Sequence, residues 1–206
     1  AGYQLASHDM EIRGAGELLG AEQSGQIHQV GFTLYLNMLE SAVAALRRGD
    51  IPDIDQPLDS GTEVKLHVPA LIPDDYLPDI STRLVLYKRI AQARDAAQLR
   101  DIQVEMIDRF GLLPEAVKNL FTCALLKISA QQLGISEIDM TEEGGSIEFT
   151  STTVVEPAAI VTLIQSDPNC FSLSGSGKLR VKKSLPSLTA RAEFMENLMS
   201  PWLKAA

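Results

Sequence analysis

Two glycine-rich segments of this chain contain the residue types that bind nucleotide phosphates, but neither has the required spacing. Residues 175–178 are Gly-Ser-Gly-Lys, whereas a phosphate-binding loop needs a glycine five residues before its Gly-Lys pair and Ser or Thr after the lysine. Ser172 and Leu179 occupy those positions. Residues 14–16, with Gly20, place the third glycine of a dinucleotide fingerprint one position late, and no apolar strand precedes them. We therefore predict a hairpin turn at 175–178 and no nucleotide site in either segment.

Other arrangements that support catalysis or metal binding are also missing from the sequence. No serine lies in a Gly-x-Ser-x-Gly context, and the three histidines are too scattered for metal-ligand spacing. Cys123 lies in an apolar helical run, which favours a small buried side chain and a reducing compartment. Asp139, Glu142 and Glu143 are typical of the solvated edge of a hairpin. We expect no catalytic residue, no metal ligand and no cofactor bound by these residues.

The charge balance limits the partners of the chain. The net charge is −9, and residues 1–60 hold nine acidic and three basic side chains. Phosphate contacts need a surplus of Lys and Arg, so autonomous DNA binding is disfavoured. No apolar run approaches the roughly 20 residues that cross a bilayer, and no basic leader precedes an apolar stretch. We expect a cytoplasmic protein without membrane contact, and a start in mid-pattern indicates a fragment.

The first fifty residues predict a helical unit. Two glycines flanking Ala15 allow a sharp reversal between two short helices over residues 7–20. A polar loop at 22–25 precedes an amphipathic helix from 33 to 48. Residues 50–62 contain two prolines and four aspartates without periodicity, which is typical of a linker. We assign residues 1–50 to a front unit, 51–61 to the linker and 62–206 to a second domain.

The second domain predicts helices and short antiparallel hairpins, an α+β fold. Alternation over 64–68 indicates a strand, and helices are expected at 81–94, 96–110 and 114–133, with Ser81 as the first N-cap. Glycines at 144 and 145 indicate a hairpin between 136–142 and 146–150. A helix at 156–166, a second strand pair at 171–174 and 178–182, and a helix at 187–204 complete the domain.

The front unit also carries a long specific motif. Residues 9–20 read Asp-Met-Glu-Ile-Arg-Gly-Ala-Gly-Glu-Leu-Leu-Gly, followed by Gln23-Ser24-Gly25 and Val30-Gly31-Phe32. This pattern closely resembles the translocation motif shared by RecG helicases and transcription-repair coupling factors. The Gly-Ala-Gly segment, in place of the Gly-Pro-Gly of RecG, resembles the coupling factors. The resemblance continues through residues 71–79, 83–90 and 107–114, so it spans essentially the whole chain.

The resemblance implies roles for the front motif. In the family this motif is a helical hairpin and loop at the end of the second RecA-like motor domain, near duplex DNA. It couples ATP hydrolysis, with ATP and Mg²⁺ bound elsewhere in the whole protein, to movement along DNA. Arg13 matches the coupling arginine, and its alternative role is an ion pair with Asp9 or Glu17. The matching backbone and loop positions are Gly14, Gly16, Gln23, Ser24 and Gly25.

The resemblance implies a regulatory role for the second domain. In the family this domain docks on the UvrB-like N-terminal module of the same protein and masks the surface that binds UvrA until stalled RNA polymerase is engaged. The spacing of the predicted helix at 96–110 puts charged side chains on one face and apolar ones on the other. We expect Glu105, Asp108 and Arg109 to form part of the masking interface, although a solvated charged face is the ordinary alternative.

Three functional hypotheses follow. The first is a non-catalytic portion of an ATP-dependent DNA translocase that displaces stalled RNA polymerase and recruits nucleotide excision repair. The second is a free-standing DNA-binding accessory domain, which the −9 charge disfavours. The third is an enzyme with an unrecognised active site, and no group of residues in the sequence supports it.

Overall fold

The computed structural model describes residues 61–206. The predicted helical hairpin at 1–50, with its proposed origin in a RecA-like motor domain, lies outside the described residues. The same holds for residues 51–60 of the predicted linker. Within residues 61–206 the chain forms five helices and one five-stranded sheet, so the predicted mixture of helices and strands is confirmed for this part.

Three consecutive helices follow the first strand: α1 (Ile80–Gln92), α2 (Ala96–Phe110) and α3 (Glu115–Leu133). The side chain of Asp79 accepts from the Thr82 amide, and that of Asp95 accepts from the Gln98 amide. Each carboxylate satisfies an amide that has no partner within the helix. The prediction of Ser81 as the first N-cap is therefore wrong, because Asp79 starts the helix earlier. The predicted boundaries of the other two helices hold to within one residue.

The sheet contains β1 (Glu63–Lys65), β2 (Ile135–Thr141), β3 (Gly144–Phe149), β4 (Phe171–Leu173) and β5 (Leu179–Lys182), in the order β1-β2-β3-β5-β4. Helix α4 (Pro157–Ser166) connects β3 to β4, and α5 (Leu188–Ala205) follows β5. Strands β2, β3, β5 and β4 are antiparallel neighbours, as the two predicted hairpins require.

Strand β1 departs from the prediction in two respects. It pairs in parallel with β2, so the sheet is mixed and does not consist of antiparallel hairpins alone. It also ends at Lys65 and not at residue 68. The backbone of His67 has φ +57°, a left-handed conformation that breaks an extended strand, and Pro69 follows. The alternating pattern of residues 64–68 thus extends past the end of the pairing.

The glycine-rich segment at 175–178 forms the predicted hairpin turn between β4 and β5. The amide of Ser174 donates to the carbonyl of Lys178 (2.9 Å), and the amide of Gly177 donates to the carbonyl of Ser174 (3.0 Å). Gly177 has φ +82°, a conformation that glycine adopts without steric cost. The backbone conformation of the turn therefore accounts for the glycine at 177.

Two apolar clusters lie on either side of the middle of α3. The helical cluster joins α1, α2 and the first half of α3, with Leu86, Met106 and Leu120 at most 1% exposed. The sheet cluster joins the second half of α3, one face of the sheet and α5, with Ile138, Ile147 and Met195 fully buried. The strand residues between these apolar positions are polar, as expected for a sheet with one face on the core and one in water.

Candidate interaction site

Helix α2 presents two chemically different faces, as its sequence predicts. Leu99, Ile102 and Met106 are buried in the helical cluster, and Phe110 is half-buried against it. Asp101, Asp108 and Arg109 are exposed on the other side. The 3.6-residue repeat therefore places α2 on the surface with a charged outer side.

Glu105 is held at the centre of this outer side by two arginines. Nη1 of Arg89, on α1, lies 2.5 Å from Oε2 of Glu105, and Nη1 of Arg109 lies 3.4 Å from the same oxygen. The hydrogen bond from Arg89, followed by the charges of Arg89 and Arg109, lowers the pKa of the Glu105 carboxyl. The carboxylate is thus an ionised link between α1 and α2 at neutral pH.

Aromatic contacts orient Arg109. Its guanidinium carbon lies 4.8 Å from the ring centroid of Phe110. That ring meets the ring of Tyr76 edge-on, with centroids 6.2 Å apart, and the Tyr76 hydroxyl donates to the carbonyl of Gly111 (2.9 Å). Partial burial raises the pKa of the Tyr76 phenol. The segment before α1 and the end of α2 therefore fix the direction in which Arg109 points.

Large apolar side chains lie exposed beside these charges. Val104 is 53% exposed, Ile107 is 39% exposed, and Leu112, just after α2, is 85% exposed. Val85 on α1 is also exposed. Apolar side chains rimmed by charges are typical of protein interaction surfaces, whereas single exposed ones need no explanation. We call Val104, Glu105, Ile107, Asp108, Arg109 and Leu112 the α2 surface.

The structure brings together some of the sequence-predicted site residues. Glu105 and Arg109 form an ion pair, and Asp108 is exposed on the same helix. Arg89 was not assigned to the site, because no local pattern pairs residues 16 positions apart. Val104 and Ile107 had a sequence signal, since they are apolar but lie off the buried stripe of α2. The predicted coupling residues Arg13, Gly14, Gly16, Gln23, Ser24 and Gly25 lie outside the described residues.

A second group of ionisable residues lies where β1 meets α3. Lys65 Nζ lies 3.8 Å from Glu63 Oε2 and 3.6 Å from Glu137 Oε2. Glu63 is 9% exposed, and its Oε1 has no hydrogen-bond partner among the described residues. Burial raises the pKa of Glu63 to about 7, and burial lowers the pKa of Lys127, on α3, to about 8. We therefore expect the stability of this end of the described domain to depend on pH.

The remaining predicted side chains behave largely as expected. Cys123 is buried, and burial raises the pKa of its thiol to about 12, so it is not a nucleophile at neutral pH. Glu142 and Glu143 are exposed at the β2–β3 turn, as predicted. Asp139 differs, because His67 Nε2 lies 2.5 Å from its Oδ1 and the carboxylate is only partly exposed. A shared hydrogen bond therefore replaces the expected solvation of Asp139.

The described residues contain no group of three His, Cys, Asp or Glu side chains placed to hold a metal ion. None of the helices in residues 61–206 is long and apolar enough to cross a membrane. What the α2 surface offers is a fixed set of charges and exposed apolar groups. Such a surface can recognise another protein.

Comparison with known proteins identifies the family. The protein-family model described as the TRCF domain matches residues 66–160. The transcription-repair-coupling factor of Escherichia coli K12 is 46% identical over 199 residues, which is 97% of this chain and 17% of that protein. The chain belongs to the transcription-repair coupling factor family. The Haemophilus influenzae factor is equally similar (46% over 199 residues, 97% of this chain, 17% of that protein), and the Myxococcus xanthus factor is 37% identical over 179 residues (87% and 14%).

The fold agrees with this assignment. The crystal structure of the C-terminal domain of a transcription-repair coupling factor superposes with a TM-score of 0.55 at 24% identity, covering 68% of this chain and 92% of the other. At this identity the likeness concerns the fold. The chain spans 17% of the length of its Escherichia coli and Haemophilus influenzae relatives, so it corresponds to one part of those coupling factors.

Proposed function

We propose that residues 62–206 restrain a transcription-repair coupling factor by docking on a UvrB-like module of the same protein. Docked in this way, the domain covers the surface that UvrA binds until the factor engages stalled RNA polymerase. The domain works as a binding module, and the whole protein carries out ATP-dependent translocation along DNA and recruits excision repair. The α2 surface provides the contact.

The α2 surface carries this proposal because it combines three properties of an interface. Val104 and Ile107 offer apolar area that water would otherwise hydrate. Glu105 is already paired with Arg89 and Arg109, so little side-chain entropy remains to be lost on binding. Asp108 adds an exposed charge that can select a partner by complementarity.

Charge reversal on α2 tests the proposal in the full-length protein. We expect Glu105→Lys with Asp108→Lys to increase the affinity for UvrA, measured by calorimetry, by about tenfold, equivalent to roughly 1.4 kcal/mol. The added cations place like charges opposite the arginines and remove the complementarity of the docked state. Asp108→Lys alone should give a smaller increase, because it leaves the pairing of Glu105 intact.

Glu142→Lys is the matched control, since Glu142 is exposed at the β2–β3 turn, outside the α2 surface. It adds the same charge and should leave the affinity for UvrA unchanged. Equal affinities for the wild-type protein, the Asp108→Lys variant and the double variant would sink the proposed masking role. An equal increase in all three variants would attribute the effect to net charge and would contradict it as well.

For the front unit we propose that Arg13 and the 23–25 loop couple ATP hydrolysis to movement on duplex DNA. Support comes from the motif in residues 9–25 and from family membership. A guanidinium suits this task because its rigid fork holds a carboxylate or phosphate in one geometry. The hydrolysed ATP and its Mg²⁺ bind outside this chain.

Arg13→Ala in the full-length protein tests this role. We expect ATP hydrolysis to stay within about threefold of the wild-type rate, while displacement of a stalled RNA polymerase falls by at least about tenfold, since a coupling residue acts after hydrolysis. A tenfold loss corresponds to roughly 1.4 kcal/mol in the activation free energy of displacement. Arg48→Ala, at the end of the predicted amphipathic helix, is the control. If the Arg13→Ala variant displaced the polymerase normally, the coupling role would be wrong, and an ion pair with Asp9 or Glu17 would be the remaining role of Arg13.

A further inference from the structure

Positive charge is concentrated in one segment of this acidic chain. Residues 168–192 contain five lysines or arginines and no acidic residue, although the net charge of the whole chain is −9. Four of the five lie within residues 178–183, which are β5 and one residue on each side of it. The fifth, Arg191, is buried and donates to the carbonyls of Leu185 and Leu66, so it serves the fold. The cations around β5 have no such explanation.

The alternation of β5 aligns its charges on the open face of the sheet. The two apolar residues of this strand are buried in the sheet cluster, whereas Arg180 and Lys182 are exposed. Lys178 precedes Arg180 by two positions, and its Nζ lies 3.6 Å from Oε2 of Glu148 on β3. Alternate residues of a strand share a face and are about 6.8 Å apart, so the three cations form a row about 14 Å long.

Two serines flank Arg180 across the sheet. The register pairs Arg180 with Ser146 on β3 and with Ser172 on β4. Paired residues of neighbouring strands direct their side chains to the same face, at a strand spacing of about 4.8 Å. Lys182 is paired with Gly144, so no side chain of β3 covers it. We call Ser146, Ser172, Lys178, Arg180 and Lys182 the β5 surface.

The exposed cations of the β5 surface lack a counter-charge in the fold. Lys178 is paired with Glu148, but Arg180 and Lys182 form no ion pair within residues 61–206. Lys183 is engaged elsewhere, since its Nζ lies 5.3 Å from the ring centroid of Phe194 on α5. Neighbouring like charges repel each other, so the fold gains nothing from placing Arg180 and Lys182 side by side. An external anion would make the arrangement favourable.

We propose that the β5 surface contacts the phosphate backbone of duplex DNA while the full-length coupling factor is bound to that DNA. The fork of a guanidinium binds two phosphate oxygens, and the serine hydroxyls on either side of Arg180 add further donors. Lys182, at the next outward position of β5, supplies a charge for the neighbouring phosphate. Such a contact is independent of base sequence, because every nucleotide presents the same phosphate.

The composition of the open face favours DNA over a protein partner. None of its outward positions in β3, β4 and β5 carries an apolar or aromatic side chain; they are Gly144, Ser146, Glu148, Ser172, Arg180 and Lys182. A protein interface has an apolar core, whereas a protein–DNA interface is more polar and much more positively charged. Single-stranded nucleic acid binds by stacking its bases on aromatic rings, which this face does not offer. The backbone of a duplex is the ligand that fits.

The net charge of −9 determines when this contact forms. Repulsion between the acidic chain and DNA opposes capture of DNA from solution by this chain alone. In a translocase the motor already holds the duplex, and a tethered surface meets it at an effective concentration near the millimolar range. In this respect the inference rests on the proposed movement along duplex DNA. It does not depend on the masking role, because the α2 surface lies on the helical cluster.

Fluorescence anisotropy with labelled duplex DNA at several salt concentrations tests the proposal in the full-length protein. Arg180→Glu with Lys182→Glu should weaken binding at low salt by at least about fivefold. It should also reduce the slope of log affinity against log salt by about 2, since each lost phosphate contact removes roughly 0.9. Arg180→Lys with Lys182→Arg keeps both charges and should keep the slope. A change confined to folding would not follow charge in this way.

Lys118→Glu with Lys204→Glu is the matched control. Both lysines are exposed, on α3 and α5, and the double variant makes the same change in charge away from the open face of the sheet. It should leave the affinity for DNA and the salt slope close to those of the wild type. Circular dichroism of each variant checks its folding.

Three results would overturn the proposal, and they separate it from the proposed translocation. If the wild type bound DNA and the β5 reversal changed neither affinity nor slope, only the contact at β5 would be wrong. An equal loss in the control variant would attribute the effect to net charge. If the reversal left DNA binding intact but weakened the displacement of RNA polymerase, the partner would be an acidic protein surface. A wild-type protein that failed to bind duplex DNA would contradict both the contact and the translocation.

Discussion

Glu63 is the residue whose environment conflicts most with its charge. It is 9% exposed, one of its oxygens lacks a partner among the described residues, and Glu137 lies opposite it on β2. Lys65 and Lys127 offset part of the penalty by attraction, but burial dominates and raises the pKa of Glu63 from 4.5 to about 7. The fold therefore favours the protonated carboxyl, and ionisation at neutral pH costs stability.

The sign of this linkage gives a testable pH dependence. A carboxyl whose pKa is raised by folding contributes stability below pH 4.5 and loses it as the pH rises through 7. Lys127, with its pKa lowered from 10.5 to about 8, is protonated in both states over that range and adds no slope there. Glu63→Gln should therefore gain stability relative to the wild type between pH 4.5 and 7, by roughly 3 kcal/mol. Urea unfolding at several pH values measures the difference.

Glu142→Gln is the control for this measurement, because it makes the same substitution at an exposed position in the β2–β3 turn. If the Glu63→Gln and wild-type curves ran parallel from pH 4.5 to 7, burial of Glu63 would not be the source of the dependence. If the Glu63→Gln variant became more stable than the wild type only above pH 8, Lys127 would be the titrating group.

At the scale of elements, local chemistry predicted most helices well. Gly111, Pro114 and Gly134 mark helix ends in the sequence, and the structure places the end of α2 and both ends of α3 beside them. Gly134 shows why such signals are reliable. It adopts φ +73° at the end of α3, and a Cβ there would overlap the backbone of Thr153. Only glycine combines a left-handed conformation with that approach, so the residue type reveals the turn.

Strand pairing was predictable only where a short turn fixed it. Both predicted hairpins are present. The β2–β3 turn, however, lies at Glu142 and Glu143, because Gly144 and Gly145 belong to β3. There a Cβ on either glycine would overlap the backbone of a neighbouring strand. Strand β1 has no such turn, since its partner β2 begins 70 residues after Lys65 along the chain. The contacts at its end are long-range, such as the hydrogen bond from Arg191 Nη1 to the Leu66 carbonyl (2.8 Å), which joins residues 125 positions apart. Contacts between residues so far apart in the chain produce no local sequence pattern from which they could be predicted.

The candidate site was also predictable only in part. The charged outer side of α2 followed from the helical period, because exposure repeats with the turn of the helix. The pairing of Glu105 with Arg89 did not, because it depends on how α1 packs against α2. The exposure of α4 was equally unpredictable, since an apolar ten-residue segment is compatible with full burial until the neighbouring elements are placed.

At the scale of the whole molecule, α3 makes one unit of two clusters. Its 19 residues extend for about 28 Å. Its first half supplies Val117 and Leu120 to the helical cluster, and its second half supplies Leu126 and Ala130 to the sheet cluster. Unfolding either half would interrupt a continuous helix and expose apolar side chains of the other. We therefore expect the described residues to unfold in one cooperative transition.

Leu120→Ala tests this expectation, because the chain carries a single tryptophan, Trp202, in the other cluster. Leu120 is fully buried in the helical cluster, so its truncation should lower the free energy of unfolding by about 2–5 kcal/mol. If α3 joins the clusters, Trp202 fluorescence and far-UV circular dichroism should shift to the same lower urea midpoint. Leu126→Ala, a matched truncation on the sheet side, should shift both probes together as well. A Trp202 midpoint unmoved by Leu120→Ala, with helical signal lost earlier, would mean that the clusters unfold as separate units.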